Sequence, residues 1–159
     1  MFKRGLILSF VALFAINANL ITASESYGVL MATDLKNSSS QARELGIPMM
    51  MFFAAEDCGY CERLENDYLR AMSKNEEYQN RVIIRKVVID SYDDFRDFGG
   101  DKIEASDFSD KFNIQVTPTL VFVDPAGKRV ADKIIGYQNS GFFGAELDKQ
   151  IELATKSIR

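Results

Sequence analysis

A pair of cysteines three residues apart constrains the fold of this chain more than any other feature. Cys58 and Cys61 are its only two cysteines, in the sequence Cys58-Gly59-Tyr60-Cys61. The apolar run at residues 47–53 predicts a short buried strand, and residues 62–72 carry apolar side chains at helical spacing. The cysteine pair therefore lies between a strand and a helix. At that position the two sulfurs can close a small, redox-active disulfide ring.

The N-terminus has the features of an export signal. Two basic residues precede an apolar stretch at residues 5–16, and small residues follow it. We predict that residues 1–23 are a signal peptide, cleaved after Ala23 or Ser24, and that residues 24–159 form one domain. An uncleaved membrane anchor is the alternative. Either outcome exports the domain to a compartment where disulfides can form.

Charge and residue types exclude several function classes. The net charge is −4, and residues 1–23 hold two basic and no acidic side chains, so the exported domain is still more acidic. An acidic domain is a poor candidate for binding nucleic acid. The chain has no histidine, so a zinc site would need thiolates from two chains. Covalent haem attachment is excluded because Glu62 follows Cys61 where histidine is required. We expect no metal and no cofactor.

The rest of the chain alternates between helical and strand patterns. Periodicity predicts helices over residues 35–45, 62–73, 106–112 and 140–155. It predicts strands over residues 49–54, 82–89, 119–123 and 128–135. Asp34 and Ser140 are the predicted caps of the first and last helices, and Gly46 is the predicted stop of the first. Strands joined by helices, followed by a terminal hairpin, predict an α/β fold with a mixed sheet and helices on both faces.

One long segment, residues 91–107, has no clear periodicity. It carries six carboxylates and two phenylalanines, Phe95 and Phe98. We interpret it as a solvated surface loop whose phenylalanines contact the core, because runs of charge usually cover a hydrated face.

A second motif, Val116-Thr117-Pro118-Thr119, points to a family. Together with FFAAEDCGYCERLE, RKVVID, DKFNIQVTPTLVFVDPAGK and IIGYQ, it resembles the periplasmic thioredoxin-like family that includes SoxW and the C-terminal domain of the reductase DsbD. The Gly-Tyr pair between the cysteines and the threonine before the proline are also similar to DsbC. The resemblance extends from Asp34 to Leu153. It implies a thioredoxin-like fold, a periplasmic location and a cis Thr117–Pro118 bond facing the cysteines.

The chemistry that this resemblance implies is thiol–disulfide exchange. Only a thiolate attacks a disulfide, and a helix N-terminus stabilises a thiolate. Cys58 is therefore the predicted nucleophile, and Cys61, one turn into the helix, is the predicted buried resolving thiol. The predicted substrate-binding residues are Tyr60, Thr117, Pro118, Gly136 and Tyr137.

The chain departs from thioredoxins in one important position. Thioredoxins carry a buried aspartate six residues before the first cysteine, where this chain has Phe52. Glu56 and Lys86 are predicted to take over part of the work of that aspartate in moving protons. Asp57 is predicted to tune the nucleophile and is a candidate helix N-cap.

Carboxylates beside the sulfurs favour a reducing pair. Glu56, Asp57 and Glu62 flank the motif, and a nearby anion disfavours a thiolate. The sequence therefore predicts a reductase of exported protein or small-molecule disulfides, recharged by an electron-donor protein in the membrane. Three alternatives stay open: an isomerase or an oxidant of the same fold, and a redox-inert binding module. We expect a monomer.

Overall fold

The computed structural model describes residues 28–138 and 141–159. The predicted signal peptide at residues 1–23 and the predicted helix cap Ser140 lie outside these ranges. Within the described part of the chain, none of the helices has the length and apolar character needed to cross a bilayer.

The described residues form a series of alternating strands and helices. The helices are α1 (Leu35–Leu45), α2 (Gly59–Leu64), a π-helical segment (Glu65–Leu69), α3 (Arg70–Lys74), α4 (Glu76–Gln79), α5 (Ala105–Lys111) and α6 (Phe143–Ser157). The strands are β1 (Met49–Ala54), β2 (Ile83–Val88), β3 (Asp94–Arg96), β4 (Lys102–Glu104), β5 (Thr119–Val123) and β6 (Ile134–Ile135).

Four of these strands form a mixed central sheet in the order β2-β1-β5-β6. β1 pairs in parallel with β2 and antiparallel with β5, which in turn pairs antiparallel with β6. A single parallel bridge joins Met31 to Lys86, so the chain before α1 lies along the outer edge of β2. The predicted mixed sheet is confirmed, and β1, which leads to the cysteines, lies at its centre.

The sequence of β1 explains its central position. All six of its residues are buried, as expected for an apolar run without polar alternation. Successive side chains point to opposite faces of the sheet. Phe52 joins a core formed with α2, the π segment, α3 and α6, whereas Phe53 joins a core formed with α1 and α5. Helices therefore cover both faces, as predicted.

Both predicted ends of α1 are confirmed. The carboxylate of Asp34 accepts a hydrogen bond from the Asn37 N–H at 2.8 Å, which satisfies one free donor of the first turn. At the other end, Gly46 has φ +65, a left-handed conformation that ends helices and that glycine adopts without strain.

Residues 91–107 are more ordered than a solvated loop. They contain the antiparallel hairpin of β3 and β4. Phe95 and Phe98 contact the core as predicted, with ring centroids 5.0 and 5.9 Å from that of Phe108. The carboxylate of Asp97 accepts hydrogen bonds from three backbone N–H groups of the turn between the strands. The acidic residues of this segment thus build a turn as well as a hydrated surface.

Two other predicted elements are corrected. The predicted partner strand of β5 at residues 128–135 pairs with β5 near both of its ends, through an antiparallel bridge at Arg129 and through β6 (Ile134–Ile135). It is interrupted between them, where the Asp132 N–H donates to the side chain of Gln150 on α6. The predicted helix over residues 62–73 begins earlier, at Gly59. It is also interrupted by the π segment, which contributes carboxylates to the site described next.

Candidate active site

The two cysteines lie at the N-terminus of α2, directly after the loop that leaves β1. They form a disulfide with an S–S distance of 2.05 Å. Cys58 is the N-cap of α2, and its Sγ accepts a hydrogen bond from the Cys61 N–H at 3.2 Å. Cys58 is partly exposed, whereas Cys61 is only 2% exposed. One sulfur is therefore accessible to a partner and the other is shielded behind it.

The N-cap of α2 is Cys58 and not Asp57, which was the candidate from the sequence. The sulfur of Cys58 itself takes the place of the capping oxygen, so Asp57 does not compete with it for the free N–H groups of the first turn. Asp57 is exposed, one residue before the helix.

A proline loop lies across from the cysteines. The Thr117–Pro118 peptide bond is cis. The Thr117 Oγ1 atom lies 3.6 Å from Cys58 Sγ, within hydrogen-bonding range for sulfur. The carbonyl of Pro118 accepts a hydrogen bond from the Gly136 N–H at 2.8 Å, which ties the proline loop to the residue after β6. Thr117 and Gly136 are therefore held on the side of the site that faces the exposed sulfur.

The structure brings all five predicted substrate-binding residues to one groove of about 580 Å³. Tyr60 forms one wall and is 58% exposed, and the guanidinium of Arg63 lies 5.2 Å from the centroid of its ring. The groove also has four apolar lining residues that the sequence analysis did not identify: Val116, Ile134, Ile135 and Phe143. Val116 and Ile135 lie within two of the sequence stretches that carried the family resemblance, DKFNIQVTPTLVFVDPAGK and IIGYQ. Both are adjacent in sequence to predicted site residues, which is a signal that could have identified them.

Tyr137 contributes to the groove through its ring. It is 4% exposed and packs edge-on against Phe143 at a centroid distance of 4.9 Å. Its hydroxyl donates to Oδ2 of Asp67 at 2.5 Å. Burial and the neighbouring carboxylate together raise the pKa of Tyr137 to about 12, because both disfavour the phenolate. Tyr137 is therefore neutral at physiological pH, and its hydroxyl is committed to Asp67.

A buried ion pair lies next to Phe52, the residue that replaces the buried aspartate of thioredoxins. One member of the pair is Lys86, which was predicted to take over part of the proton transfer of that aspartate. The Nζ atom of Lys86 is 2.8 Å from Oε2 of Glu65 and 5.6 Å from the ring centroid of Phe52. Glu65 is 7% exposed, and its other oxygen accepts the Val29 N–H at 3.1 Å. The backbone of Glu65 is hydrogen-bonded to the carbonyl of Cys61, one turn earlier on the same helix face.

The two residues predicted to replace the aspartate thus differ in position. Lys86 lies in the buried pair, whereas Glu56 is exposed, and its backbone N–H donates to Asp90 at 3.0 Å. Sequence reasoning missed Glu65, although its spacing of four from Cys61 predicts a carboxylate on the buried face of the helix.

No cluster of metal-binding side chains occurs within residues 28–138 and 141–159. An exposed and a buried sulfur at a helix N-terminus, facing a cis-proline loop on a mixed sheet, define the class of thioredoxin-fold proteins. The comparisons with known proteins agree with this class. The sequence profile of the thioredoxin-like domain family matches residues 35–151, and the chain belongs to that family. With this fold and this cysteine pair, the chain is a thiol–disulfide oxidoreductase.

Solved thioredoxins have the same fold. Poplar thioredoxin h has 27% sequence identity and a TM-score of 0.51, with 73% of this chain and 83% of that one covered. Mitochondrial thioredoxin 3 from Saccharomyces cerevisiae has 20% identity and a TM-score of 0.52, with 78% and 93% covered. A thioredoxin-fold protein from Helicobacter pylori has 21% identity and a TM-score of 0.52, with 71% and 82% covered. The comparison with curated proteins gave no match.

Proposed function

We propose that this protein is an exported disulfide reductase that acts through Cys58 and Cys61 on disulfides of exported proteins or small molecules. The observation that carries the proposal is the asymmetry of the pair. Cys58 is partly exposed at the helix N-terminus and faces Thr117, whereas Cys61 is buried one turn later. This arrangement supports attack by the first sulfur and resolution by the second.

The reaction takes two exchange steps. The Cys58 thiolate attacks a substrate disulfide, forms a mixed disulfide and releases one substrate sulfur as a thiolate, which takes up a proton. The Cys61 thiolate then attacks Cys58 Sγ, breaks the mixed disulfide and releases the second substrate sulfur. Two electrons pass from the protein to the substrate, and the protein is left with the Cys58–Cys61 disulfide.

The charges around the pair support the reducing direction. Glu56, Asp57 and Glu62 are exposed beside the motif, and their negative charge disfavours a thiolate at Cys58. The Cys61 N–H and the Thr117 hydroxyl act the other way, since both stabilise it. With no cation between the cysteines, we place the pair nearer the thioredoxin potential of about −270 mV than the DsbA potential of about −120 mV.

An exported reductase must itself be reduced. The electron source of this proposal is a membrane protein with a dithiol, which would reduce the Cys58–Cys61 disulfide through the same accessible sulfur. Periplasmic location and a monomeric state complete the proposal. The sequence of residues 1–23 and the likeness of the motifs to SoxW and to the C-terminal domain of DsbD support the location.

Insulin reduction with dithiothreitol as the electron source tests the activity. The wild type is expected to accelerate reduction, and Cys58→Ser is expected to have no activity. Cys61→Ser is expected to accumulate mixed disulfides with partner proteins, and Cys58→Ser is not. An inactive wild type would favour a redox-inert binding module, and trapping by Cys58→Ser alone would reverse the roles of the two cysteines.

The direction of electron flow has a separate test. The Cys58–Cys61 pair is equilibrated in glutathione buffers, and its reduced fraction is read by thiol alkylation. A potential below about −230 mV is expected, and one above about −180 mV, the value of protein disulfide isomerase, would contradict the reductase assignment. Fractionation of cells that express the full chain tests export, because a periplasmic protein is expected to be released with the outer compartment.

A further inference from the structure

The surface around the exposed sulfur is divided into an uncharged half and an acidic half. On the side of the proline loop, the groove described above has no charged lining residue among the described parts of the chain. On the side of the helix, three carboxylates lie within four residues of Cys58. A substrate whose sulfur is joined to Cys58 must place its neighbouring residues against these two halves.

The uncharged half exposes three large side chains that are wholly or mainly apolar. Val116 is 51% exposed, Ile135 is 65% exposed and Tyr60 is 58% exposed. Single exposed apolar residues are ordinary, but a cluster around one groove marks an interaction site. Ile135 also belongs to β6, the edge strand of the sheet, and an edge strand can accept an extended peptide.

The acidic half has no internal counter-charge. Glu56, Asp57 and Glu62 are all exposed, and none of them forms an ion pair with another described residue. The nearest cation along the chain, Arg63, stacks on the ring of Tyr60 instead. The negative charge beside Cys58 is therefore free to act on a bound partner.

We propose that the preferred substrate is an extended polypeptide segment with a cystine sulfur flanked by an apolar residue on one side and by lysine or arginine on the other. This specificity rests on the reductase function proposed above. The apolar side chain enters the groove between Val116 and Ile135, and the cation meets Asp57 and Glu62. A small anionic disulfide such as oxidised glutathione is a poor substrate, because it has no apolar group for the groove and its carboxylates face the acidic half.

The exchange step itself is unchanged by this specificity. The Cys58 thiolate forms a bond to the peptide sulfur, and the disulfide partner of that sulfur leaves as a thiolate. Cys61 then closes the ring with Cys58 and releases the peptide thiol. The two electrons come from the reduced protein, so a single turnover with pre-reduced protein needs no further reductant.

The test compares four peptides of equal length in which cysteine is disulfide-linked to the same fluorescent thiol. The flanking pairs are Leu and Lys, Leu and Glu, Ser and Lys, and Ser and Glu, with oxidised glutathione as a fifth substrate. Second-order rate constants are measured with pre-reduced protein. The peptide with Leu and Lys is expected to react at least tenfold faster than the one with Ser and Glu. The advantage of Lys is expected to shrink at high salt, because salt screens exposed charges.

Substitutions at the surface test which half of the site causes each substrate preference. Ile135→Ser is expected to reduce the preference for Leu, whereas Leu45→Ser, at a residue 57% exposed on α1, is expected to leave it unchanged. The double variant Asp57→Asn/Glu62→Gln is expected to remove the preference for Lys, and Glu77→Gln on α4 is expected to retain it.

Equal rates for all four peptides, or a higher rate for oxidised glutathione than for any peptide, would overturn the inferred specificity. If the protein still reduced insulin, the proposed reductase function would not be affected. Loss of insulin reduction as well would instead reject the proposed function.

Discussion

The buried pair of Lys86 and Glu65 provides the sharpest test of how this active site is supported. Glu65 accepts hydrogen bonds from Nζ of Lys86 at 2.8 Å and from the Val29 N–H at 3.1 Å. The side chain of Glu65 is 9% exposed and that of Lys86 is 23% exposed. In Glu65→Gln, the amide oxygen can still accept the Val29 N–H, but the ammonium of Lys86 loses its counter-charge.

The structure sets the size of the expected loss. Removing one partner of a fully buried ion pair costs about 3–5 kcal/mol of unfolding free energy. Because Lys86 keeps partial contact with water and the amide keeps one hydrogen bond, we expect Glu65→Gln to lose about 2 kcal/mol. Glu77 is the matched control, since its side chain is 76% exposed in its pair with Arg81. Glu77→Gln is expected to lose less than about 0.5 kcal/mol.

Urea unfolding of these variants measures both losses. The double variant Glu65→Gln/Lys86→Met extends the test, because it leaves no unpaired charge and keeps an amide oxygen that can accept the Val29 N–H. Such replacements are often nearly neutral, so the double variant is expected to be more stable than either single variant. A Glu65→Gln loss no larger than that of Glu77→Gln, or a double variant that loses the sum of the two single losses, would refute the reasoning.

The same substitution has a kinetic consequence. Phe52 cannot accept a proton, and Glu65 lies one helical turn beyond Cys61 on the buried side. Glu65→Gln is therefore expected to slow the release of the mixed disulfide and to change its pH profile. It should do so more than Glu56→Gln, because Glu56 is exposed. Rapid-mixing measurements with pre-reduced protein give these rates, and the opposite order would return the role to Glu56.

Three further predictions concern the fold and the groove. Gly127→Ala is expected to lose at least about 1 kcal/mol in urea unfolding, because Gly127 has φ +83 and a Cβ there would lie 2.4 Å from the ring of Phe98. The raised pKa of Tyr137, about 12 against 10.0, means that its neutral form contributes stability in full below about pH 10. That contribution is lost as pH rises towards 12, and an unchanged alkaline unfolding curve for Tyr137→Phe would contradict the assignment. Thr117→Val is expected to move the deprotonation of reduced Cys58 to higher pH, because the thiolate loses a hydrogen-bond donor. The rate of Cys58 alkylation as a function of pH measures this shift, and a shift to lower pH would refute the prediction.

Much of the fold was predictable because its signals are local. The apolar run of β1, the cap at Asp34 and the stop at Gly46 each depend on residues adjacent in sequence, and the structure agrees with all three. The predicted strand at residues 128–135 pairs with β5 at Arg129 and at Ile134–Ile135 but is interrupted between them. At the interruption the Asp132 N–H donates to Gln150 on α6, a residue 18 positions away that no local pattern encodes.

The active site shows the same difference between local features, which were predicted, and long-range contacts, which were not. Cys58, Cys61 and Pro118 belong to short motifs, and their mutual position follows from the order of β1 and β5 in the sheet. The role of Asp57 as a cap was mispredicted because cysteine is rarely considered for that position, although its sulfur can accept an N–H. Glu65 was missed because glutamate is almost never buried unless it is paired, and the local sequence gives no sign of a partner. Its burial depends on Lys86, which lies on β2 and is distant in sequence.

The π segment at Glu65–Leu69 connects these long-range contacts. π-helical turns frequently occur at functional sites, where the wider turn reorients neighbouring side chains. Here the carboxylate of Glu65 accepts a hydrogen bond from Lys86 on β2, and the carboxylate of Asp67 accepts one from Tyr137, which follows β6. These strands are the two edges of the central sheet. The helix that Cys58 caps is thus attached to both edges of the sheet by carboxylates from a single turn, and the same sheet carries the proline loop directly before β5.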